Sequence, residues 1–421
     1  MIETLELLPG IVLHCCTDTR FKQSCFSVQF VRPMCHEEAA VNNLIPAILL
    51  RGCKRYPDLR AITLHLDDLY GGAVGPACRR VGDYQTTGLA CGMMEDRFAL
   101  EGDAILQPMM DFIRQLLLEP LTENGGFDAD ITESEKHNLI SAIKAMRNDK
   151  RAYATNQLYA IMCQKDSYGI PRLGNVEDVQ AITPQSAWAH YQKVLKTSPV
   201  ELFYVGSASV EQVVQLVRPI FAELDRSYEP LKPQSAYCYS EPEEKVEELD
   251  VSQGKLAMGF VTPITIRDAD FAAMQVCNTV LGAGMTGKLF TVIREKMSLC
   301  YDIGSLYQGT KGIVTVSAGI DFDKDTTVKE AVLEQLDQCC QGNITDAELE
   351  AAKIAIISQL RGTHDSAVSI EAYYGAAQLN GLSMTPEAYM EAVSKVDVAH
   401  VARVAKTLKL HSVYFLKGVG A

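Results

Sequence analysis

The same order of secondary structure is predicted twice along the chain, and this repeat constrains the fold more than any other feature. Each half begins with an apolar strand and a helix, continues with paired strands and several helices, and ends with a strand. The halves share little residue identity, so the repeat is one of element order. The pattern predicts two α+β domains of similar plan, each an antiparallel-rich sheet packed with helices.

A segment rich in proline and acidic residues separates the two halves. Residues 227–254 contain Pro230, Pro233 and Pro242, and an acidic run covers residues 241–250. This composition is typical of a solvated connector. We therefore predict an N-terminal domain at residues 1–226, a linker at 227–254 and a C-terminal domain at 255–421. The length of 421 residues also favours two cores rather than one.

Alternation and helical periodicity locate the first strand and the first helix. Phe26, Val28 and Phe30 alternate with other residues, which predicts a strand with one apolar face. A helix is predicted to follow at residues 38–50. Pro46 lies inside this helix, where the missing N–H removes a hydrogen bond, so we expect a kink.

Two capping boxes mark predicted helix starts in corresponding parts of the two halves. The pattern Thr-x-x-Glu occurs at Thr132 and Glu135 and again at Thr345 and Glu348. In a capping box, the Thr side chain and the Glu side chain each satisfy a backbone N–H at the helix start. Each box therefore predicts the beginning of a long helix.

Charge and cysteine content narrow the class of protein. The net charge of −14 argues against a nucleic-acid partner and against an anionic membrane. The thirteen cysteines are odd in number and form no C-x-x-C pair, which favours reduced thiols in a cytosol. The N-terminus does not read as a signal peptide, and no stretch approaches the length needed to span a bilayer. These features predict a cytoplasmic location.

A glycine-rich stretch opens the segment at residues 282–301. Gly282, Gly284 and Gly287 allow positive φ and close backbone approach, and an apolar helical turn follows them. Arg294 lies at the end of this turn, and Tyr301 lies in a predicted strand start. The pattern therefore places a guanidinium and a phenol at the border between a helix and a strand.

Two interpretations of Arg294 and Tyr301 stay open from this stretch alone. The donor fork of Arg and the hydroxyl of Tyr suit the binding of a peptide carbonyl or carboxylate. In the other interpretation, Arg294 pairs with Glu295 or another neighbour on the surface, and Tyr301 fills the core. A second open question concerns residues 35–38, Cys-His-Glu-Glu, which either bind a metal or stabilise the start of the first helix, where negative charge is favourable.

Short motifs in both halves carry a resemblance that covers nearly the whole chain. They are Leu49-Leu50-Arg51-Gly52, Tyr56-Pro57, Tyr70-Gly71-Gly72, residues 168–177, Ile182-Thr183-Pro184, Leu281-Gly282-Ala283-Gly284, Lys288-Leu289-Phe290, Arg294-Glu295-Lys296 and Leu299-Cys300-Tyr301. In order and spacing, the chain resembles the insulinase/pitrilysin-like zinc peptidase family, which includes mitochondrial processing peptidase. The resemblance implies the mitochondrial processing peptidase/LuxS-like metallohydrolase fold.

The chain departs from this family at the zinc site. Peptide-cleaving members carry H-x-x-E-H on the first helix, in which two His bind Zn²⁺ and the Glu activates water. The corresponding residues of this chain are Asn43, Pro46 and Ala47, and the third ligand, a Glu on a later helix, is replaced by Ala142. The resemblance therefore implies that this chain binds no metal and has no catalytic residues. Whether it acts in an enzyme stays open.

The other half of the family's active site matches. Arg294 and Tyr301 stand at the positions from which an Arg and a Tyr hold the substrate carbonyl and the developing oxyanion. The resemblance implies a non-catalytic subunit that binds a peptide substrate. Its partner is either a homologous, zinc-bearing subunit in a heterodimer or a second copy of this chain in a homodimer. The alternative function is a peptide- or protein-binding scaffold without hydrolysis.

Overall fold

The computed structural model describes residues 2–222, 224–234 and 240–420, so residues 235–239 of the predicted linker lie outside the described part. The contacts divide the chain into two compact units. Unit 1 comprises Met1–Ile143, Ile170–Pro233 and His364–Leu379, and unit 2 comprises Lys144–Gly169, Gln234–Thr363 and Asn380–Ala421. The domain boundaries at residues 226 and 255 remain a prediction.

The strands lie for the most part in two sheets, one in each unit. In chain order they are β1 Ile2–Leu8, β2 Ile11–Thr17, β3 Gln23–Pro33, β4 Ala73–Pro76, β5 Arg80–Val81, β6 Tyr84–Met94, β7 Thr122–Glu123, β8 Gly126–Phe127, β9 Val200–Gly206, β10 Glu244–Leu249, β11 Gly254–Val261, β12 Asp302–Gln308, β13 Ile313–Ile320 and β14 Lys409–Gly418. Strand β10 forms within the segment that composition alone predicts to be a connector.

The α-helices are α1 His36–Leu49, α2 Leu59–Asp68, α3 Leu106–Leu118, α4 Ala129–Met146, α5 Lys150–Met162, α6 Val176–Ala181, α7 Pro184–Thr197, α8 Val210–Ala222, α9 Phe271–Leu281, α10 Asp325–Gln341, α11 Asp346–Arg361, α12 Ala367–Asn380, α13 Pro386–Ser394 and α14 Val398–Ala405. A π-helix covers Leu289–Lys296. Short 3₁₀ turns cover Asp96–Phe98, Leu100–Gly102, Ser167–Gly169 and Gly362–Asp365. In the described residues, no helix is long and apolar enough to cross a membrane.

The two main sheets share one topology. Unit 1 contains the order β2-β9-β3-β6-β4, and unit 2 contains the order β10-β14-β11-β13-β12. In both orders the first pair is parallel and the other three pairs are antiparallel. Unit 1 adds β1 beside β2 and β5 beside β6, and β7 and β8 form a separate hairpin. The predicted α+β fold of two similar, antiparallel-rich domains is confirmed.

Both faces of the unit 1 sheet are covered. Phe26, Val28 and Phe30 of β3 point into the main core, as their alternation predicts, and pack with residues of α1 and α3. The opposite face of β3 packs against α12, whose Ile370 belongs to the same buried cluster as Cys25. Helix α12 comes late in the sequence yet belongs to unit 1.

The sheet of unit 2 is covered on its second face by α5. Leu158 and Met162 of this helix pack with Ala257 and Val261 of β11 in one buried cluster. A Cβ atom on Gly259 would lie only 2.1 Å from the sulfur of Met162. Glycine at this position therefore allows the helix to approach the sheet closely.

One of the two predicted capping boxes is correct. The Thr345 hydroxyl accepts a hydrogen bond from the Glu348 N–H, the Glu348 carboxylate accepts one from the Thr345 N–H, and α11 begins directly after Thr345. The prediction for Thr132 is wrong because α4 begins three residues earlier, at Ala129. Asp128 accepts from the Ile131 N–H at 2.9 Å and so supplies the cap instead.

Candidate functional site

Arg294 and Tyr301 lie next to each other in unit 2. Arg294 belongs to the last turn of the π-helix, and Tyr301 directly precedes β12. The Arg294 Nε donates a hydrogen bond of 2.8 Å to the main-chain oxygen of Tyr301. The helix-to-strand border predicted for this pair is therefore present, with a π-helix in place of an ordinary helical turn.

The Arg294 guanidinium is held on three sides. It lies 4.6 Å over the ring of Phe290, which suits a cation–π contact. Its Nη1 donates to the carboxylate of Glu295, and its side chain is 38% exposed. The surface ion pair with Glu295, one of the two interpretations of this residue, is thus formed.

The Tyr301 side chain points into solvent. It is 60% exposed, so the interpretation in which it fills the core is wrong. Its hydroxyl donates a hydrogen bond of 3.0 Å to Asp321 Oδ1. This bond to a carboxylate favours the neutral phenol and raises the pKa of Tyr301.

The glycines before the π-helix act through close approach rather than through positive φ. Gly282 ends α9 with a φ of −172°, which any residue can adopt, and none of the three predicted glycines has positive φ. A Cβ on Gly282 would lie 2.5 Å from Leu289, and one on Gly287 would lie 2.8 Å from the Gly282 Cα. The prediction of positive φ is therefore wrong, and the prediction of close approach is correct for Gly282 and Gly287.

A cavity of about 590 Å³ lies beside the pair in unit 2. The ring of Phe290, which carries the Arg294 guanidinium, also lines this cavity. The other lining residues come from α5 and its start, the Gly282–Met285 turn, β12 and β13: Asp149, Arg151, Ala152, Thr155, Asn156, Gly282, Ala283, Gly284, Met285, Ile303, Gly304, Ser305, Leu306, Thr315 and Ser317.

Arg151 lines the cavity, and no motif in the sequence points to it. Its Nε donates to Ser317 Oγ at 3.0 Å, and its Nη1 lies 3.1 Å from Asp302 Oδ2. Nothing local in the sequence indicates that α5 packs on the second sheet. Asp149, which accepts hydrogen bonds from the first N–H groups of α5, was the only local signal for the start of this helix.

The cavity also meets the outer edge of the unit 2 sheet. Strand β12 pairs with β13 on one side and is the last strand in the described order. The Ser305 N–H points away from β13, because it donates to Gly282 O at 2.9 Å. Since direction alternates along a strand, the main-chain groups of Ile303 also face the outer side. At Ser305 this edge is therefore already bonded by the Gly282 turn.

In unit 1, the four positions that the resemblance assigns to the zinc motif carry Asn43, Pro46, Ala47 and Ala142. Asn43 lies on α1 and donates through Nδ2 to the carbonyl oxygens of Ala39 and Arg172, each at 2.7 Å. Pro46 is buried inside α1, Ala47 is half-buried, and Ala142 is exposed on α4. These side chains do not fit a zinc ion, since the one polar group among them is an amide already engaged with main-chain oxygens.

A network of amides and one imidazole surrounds the same part of α1. Asn42 donates to Gln85 Oε1 at 3.0 Å and accepts from His190 Nε2 at 2.8 Å. Burial lowers the pKa of His190 to about 4, so the ring is neutral at pH 7. Across the described residues, no three His, Cys, Asp or Glu side chains lie close enough together to hold a metal ion.

The acidic residues of the 35–38 segment, Glu37 and Glu38, lie in the first turn of α1, where negative charge stabilises the helix start. Cys35 occupies the N-cap position without a side-chain bond, and Glu38 is bonded by Arg32 and Lys193. Burial alone would raise the pKa of Glu38, but these hydrogen bonds outweigh it and lower the pKa to about 2. The metal-binding interpretation of residues 35–38 therefore has no support in the structure.

The fold and the site together indicate a metallohydrolase-like protein. The positions that the resemblance assigns to the zinc motif carry none of the usual zinc-binding side chains. Residues 181–356 match the family model described as "Peptidase M16 inactive domain". A protein of Bacillus subtilis described as "Probable inactive metalloprotease YmfF" is 26% identical over 409 residues, covering 97% of this chain and 96% of that protein. The chain is therefore similar to M16 peptidases, in agreement with the insulinase/pitrilysin-like resemblance.

Solved structures agree on the architecture. A conserved protein from Enterococcus faecalis V583 has a TM-score of 0.91 and 25% identity, covering 99% of this chain and 98% of that chain. A peptidase M16 inactive domain from Pseudomonas fluorescens has a TM-score of 0.82 and 18% identity, with coverage of 99% and 98%. The second likeness is one of fold. The comparisons thus place the chain beside proteins that are described as inactive peptidase homologues.

Proposed function

We propose that this chain is the non-catalytic subunit of a heteromeric zinc metallopeptidase. It binds the peptide substrate and donates Arg294 and Tyr301 to the active site of a homologous, zinc-bearing partner. The observation that carries the proposal is a contrast within the chain. The exposed Arg and Tyr side chains lie together beside a cavity in unit 2, whereas the zinc positions of unit 1 hold Asn43, Pro46 and Ala47.

The chemistry of the pair suits the stabilisation of charge on a substrate oxygen. Arg294 carries a permanent positive charge and a planar set of N–H donors, and Tyr301 offers one O–H donor. Such donors lower the barrier when they bind an oxygen more strongly in the transition state than in the ground state. The partner's zinc would supply the activated water, and the two side chains of this chain would hold the oxygen that becomes negative.

The cavity supports a peptide as the ligand, and the outer main-chain groups of Ile303 on β12 offer it part of a strand edge. An extended peptide that pairs with an open strand edge gains main-chain hydrogen bonds, and pockets beside that edge select its side chains. The cavity of about 590 Å³ is within the size range of ligand sites. Because Phe290 lines the cavity and contacts Arg294, a peptide held there would pass next to the pair.

The test is the turnover of the partner in the reconstituted complex. Arg294→Ala should lower the partner's kcat/KM by about 100-fold, the usual cost of losing one donor to a developing oxyanion, and Tyr301→Phe by about tenfold. Lys296→Ala is the matched control, since Lys296 is an exposed cation of the same π-helix, and it should leave the rate unchanged. Equal rates for all four proteins, with intact complexes, contradict the proposal.

A peptide- or protein-binding scaffold without hydrolysis is the second candidate. It is favoured by the exposed apolar side chains Met285 and Leu306, which are 76% and 54% exposed and line the cavity. Exposed apolar groups of this kind are common at binding surfaces. A zinc-bearing homologue that copurifies with the chain supports the first candidate, and self-association without any such homologue supports the second. Both candidates are cytoplasmic proteins without a nucleic-acid or membrane partner.

A further inference from the structure

The donor sides of Arg294 are partly occupied by groups of this chain. A guanidinium binds a carboxylate with two parallel N–H bonds, either through Nε and Nη2 or through Nη1 and Nη2. The Nε bond goes to the main-chain oxygen of Tyr301, and Nη1 donates to Glu295. Among the described residues, Nη2 has no partner. A ligand oxygen pair can therefore engage the Nη1–Nη2 side only if Glu295 leaves it.

The single donor of Tyr301 is occupied in the same way. A phenol has one O–H group, and that of Tyr301 donates to Asp321 Oδ1 at 3.0 Å. To donate to a substrate oxygen, the hydroxyl must first release Asp321. Each member of the pair thus already binds a carboxylate of this chain, Glu295 for Arg294 and Asp321 for Tyr301.

We propose that Glu295 and Asp321 are built-in competitors for Arg294 and Tyr301, so that a ligand gains the Nη1–Nη2 side of Arg294 and the Tyr301 hydroxyl together only by displacing both carboxylates. This inference rests on the proposed function, since it concerns the same pair. A neutral carbonyl is a weaker acceptor than a carboxylate and displaces it poorly. A ligand oxygen with a full negative charge, such as a peptide carboxylate or the oxyanion formed during hydrolysis, displaces it well.

The size of the effect follows from exposure. Glu295 and Asp321 are exposed, and exposed ion pairs contribute little because water competes for both partners. The competitors are therefore strong enough to discriminate against neutral groups and weak enough to be displaced. Removing either competitor should tighten ligand binding, whereas removing Arg294 or Tyr301 should weaken it, and these opposite signs make the inference testable.

The experiment measures binding of short, unstructured, fluorescently labelled peptides with a free C-terminal carboxylate to the full chain. Glu295→Gln and Asp321→Asn keep the side-chain shape and remove the charge. Each should lower the Kd by roughly two- to fivefold, and the double variant should lower it further. Asp323→Asn is the matched control, because Asp323 is an exposed acid near Asp321 that lies 3.9 Å from Lys324, and it should leave the Kd unchanged. The same peptides with an amidated C-terminus should bind the unmodified chain more weakly.

The outcomes separate this inference from the proposed function. If Arg294→Ala weakens binding while Glu295→Gln and Asp321→Asn do not tighten it, the competition is wrong and the binding role of the pair stands. Tightening by Asp323→Asn of equal size overturns the inference too, since a general reduction of negative charge then explains the gain. Equal affinity for carboxylate and amidated peptides overturns the preference for charge. If Arg294→Ala and Tyr301→Phe leave binding unchanged, or no variant binds, the proposed function and the inference both fail.

Discussion

Unit 1 and unit 2 use the same sheet topology but cover its second face in different ways. In unit 2, α5 lays Met162 on Gly259 and a fully buried Lys311 lies 3.0 Å from Asp166. In unit 1, α12 brings the buried Glu371 onto Ser27 and Gln29 of β3. The comparison shows that the second face of the same sheet topology can be covered in two ways. In unit 2 the cover is an apolar helix contact with a buried ion pair nearby, and in unit 1 it includes a buried polar cluster.

The same contrast separates the two candidate sites. On α1 of unit 1, the Asn43 amide is turned to main-chain oxygens and contributes to packing. In the π-helix of unit 2, Arg294 keeps 38% of its side chain exposed and is bound by groups that water can replace. A site that has lost its function can keep its scaffold through packing, but an exposed Arg and Tyr contribute little to stability.

The largest effect is expected from the buried ion pair of unit 2. Lys311→Met leaves the Asp166 carboxylate buried without its ammonium, and this should lower the free energy of unfolding by about 3–5 kcal/mol. Urea denaturation followed by circular dichroism measures the loss over the whole chain. Fluorescence of Trp188, the single tryptophan, follows unit 1.

The control for Lys311→Met is the double variant Lys311→Met with Asp166→Asn. Asp166→Asn also removes the buried charge that Lys311 balances, so a large part of the lost stability should return. A loss below about 1 kcal/mol for the single variant would put this pair on a level with surface ion pairs. The two units would then differ in how the second face of the sheet is covered, but not in how much a buried charge there contributes to the free energy of unfolding.

A smaller loss is expected from the polar cluster of unit 1. Glu371 accepts hydrogen bonds from Ser27, Gln29 and both terminal nitrogens of Arg79. Glu371→Gln turns one acceptor into a donor that faces Arg79, and the free energy of unfolding should fall by about 2 kcal/mol. The Arg79 side chain is 33% exposed, so water can solvate its guanidinium when the carboxylate is removed. The fall in the free energy of unfolding should therefore be smaller than for Lys311→Met. Trp188 fluorescence should report this transition first, and a loss larger than that of Lys311→Met would reverse the ranking of the two clusters.

Rebuilding the zinc ligands tests whether unit 1 keeps the family's framework. Asn43→His, Pro46→Glu and Ala47→His restore H-x-x-E-H, and Ala142→Glu adds the third ligand. The four-substitution protein should bind zinc at least about tenfold more tightly than the three-substitution protein, because three protein ligands are needed. Calorimetry gives both affinities, and a peptidase assay should show activity only with all four substitutions. Equal affinities would mean that the third ligand belongs at a position other than Ala142.

Much of this architecture follows from local patterns, and the rest depends on distant partners. The alternation of Phe26, Val28 and Phe30 predicts a strand because the apolar residues of its core-facing side are visible in the local sequence. The polarity of Ser27 and Gln29 reads as a solvated face, but both are buried against Glu371, more than 340 residues away. No local periodicity carries that information.

The candidate site divides in the same way. Arg294 and Tyr301 are seven residues apart, so their proximity follows from one helix–strand border. Arg151 reaches Ser317 from 166 residues away, and its place at the cavity depends on α5 packing in unit 2. The π-helix is also not predicted by the local pattern, which indicates only an apolar helical turn, whereas the Met297 N–H donates to Val292 O five residues earlier.

The smallest expected change in the free energy of unfolding comes from the Thr-x-x-Glu patterns, which are identical in the two units but cap a helix only in unit 2. Thr345→Ala removes a real N-cap and should cost about 1 kcal/mol, as should Asp128→Ala, which removes the cap that α4 uses. Thr132 lies inside α4 and donates to the Asp128 carbonyl oxygen, which the Thr132 N–H already satisfies. Thr132→Val keeps the shape and should change the free energy of unfolding by less than about 0.5 kcal/mol. Urea midpoints decide between them, and a cost for Thr132→Val equal to that of Asp128→Ala would mean that α4 begins at its sequence-predicted position in solution.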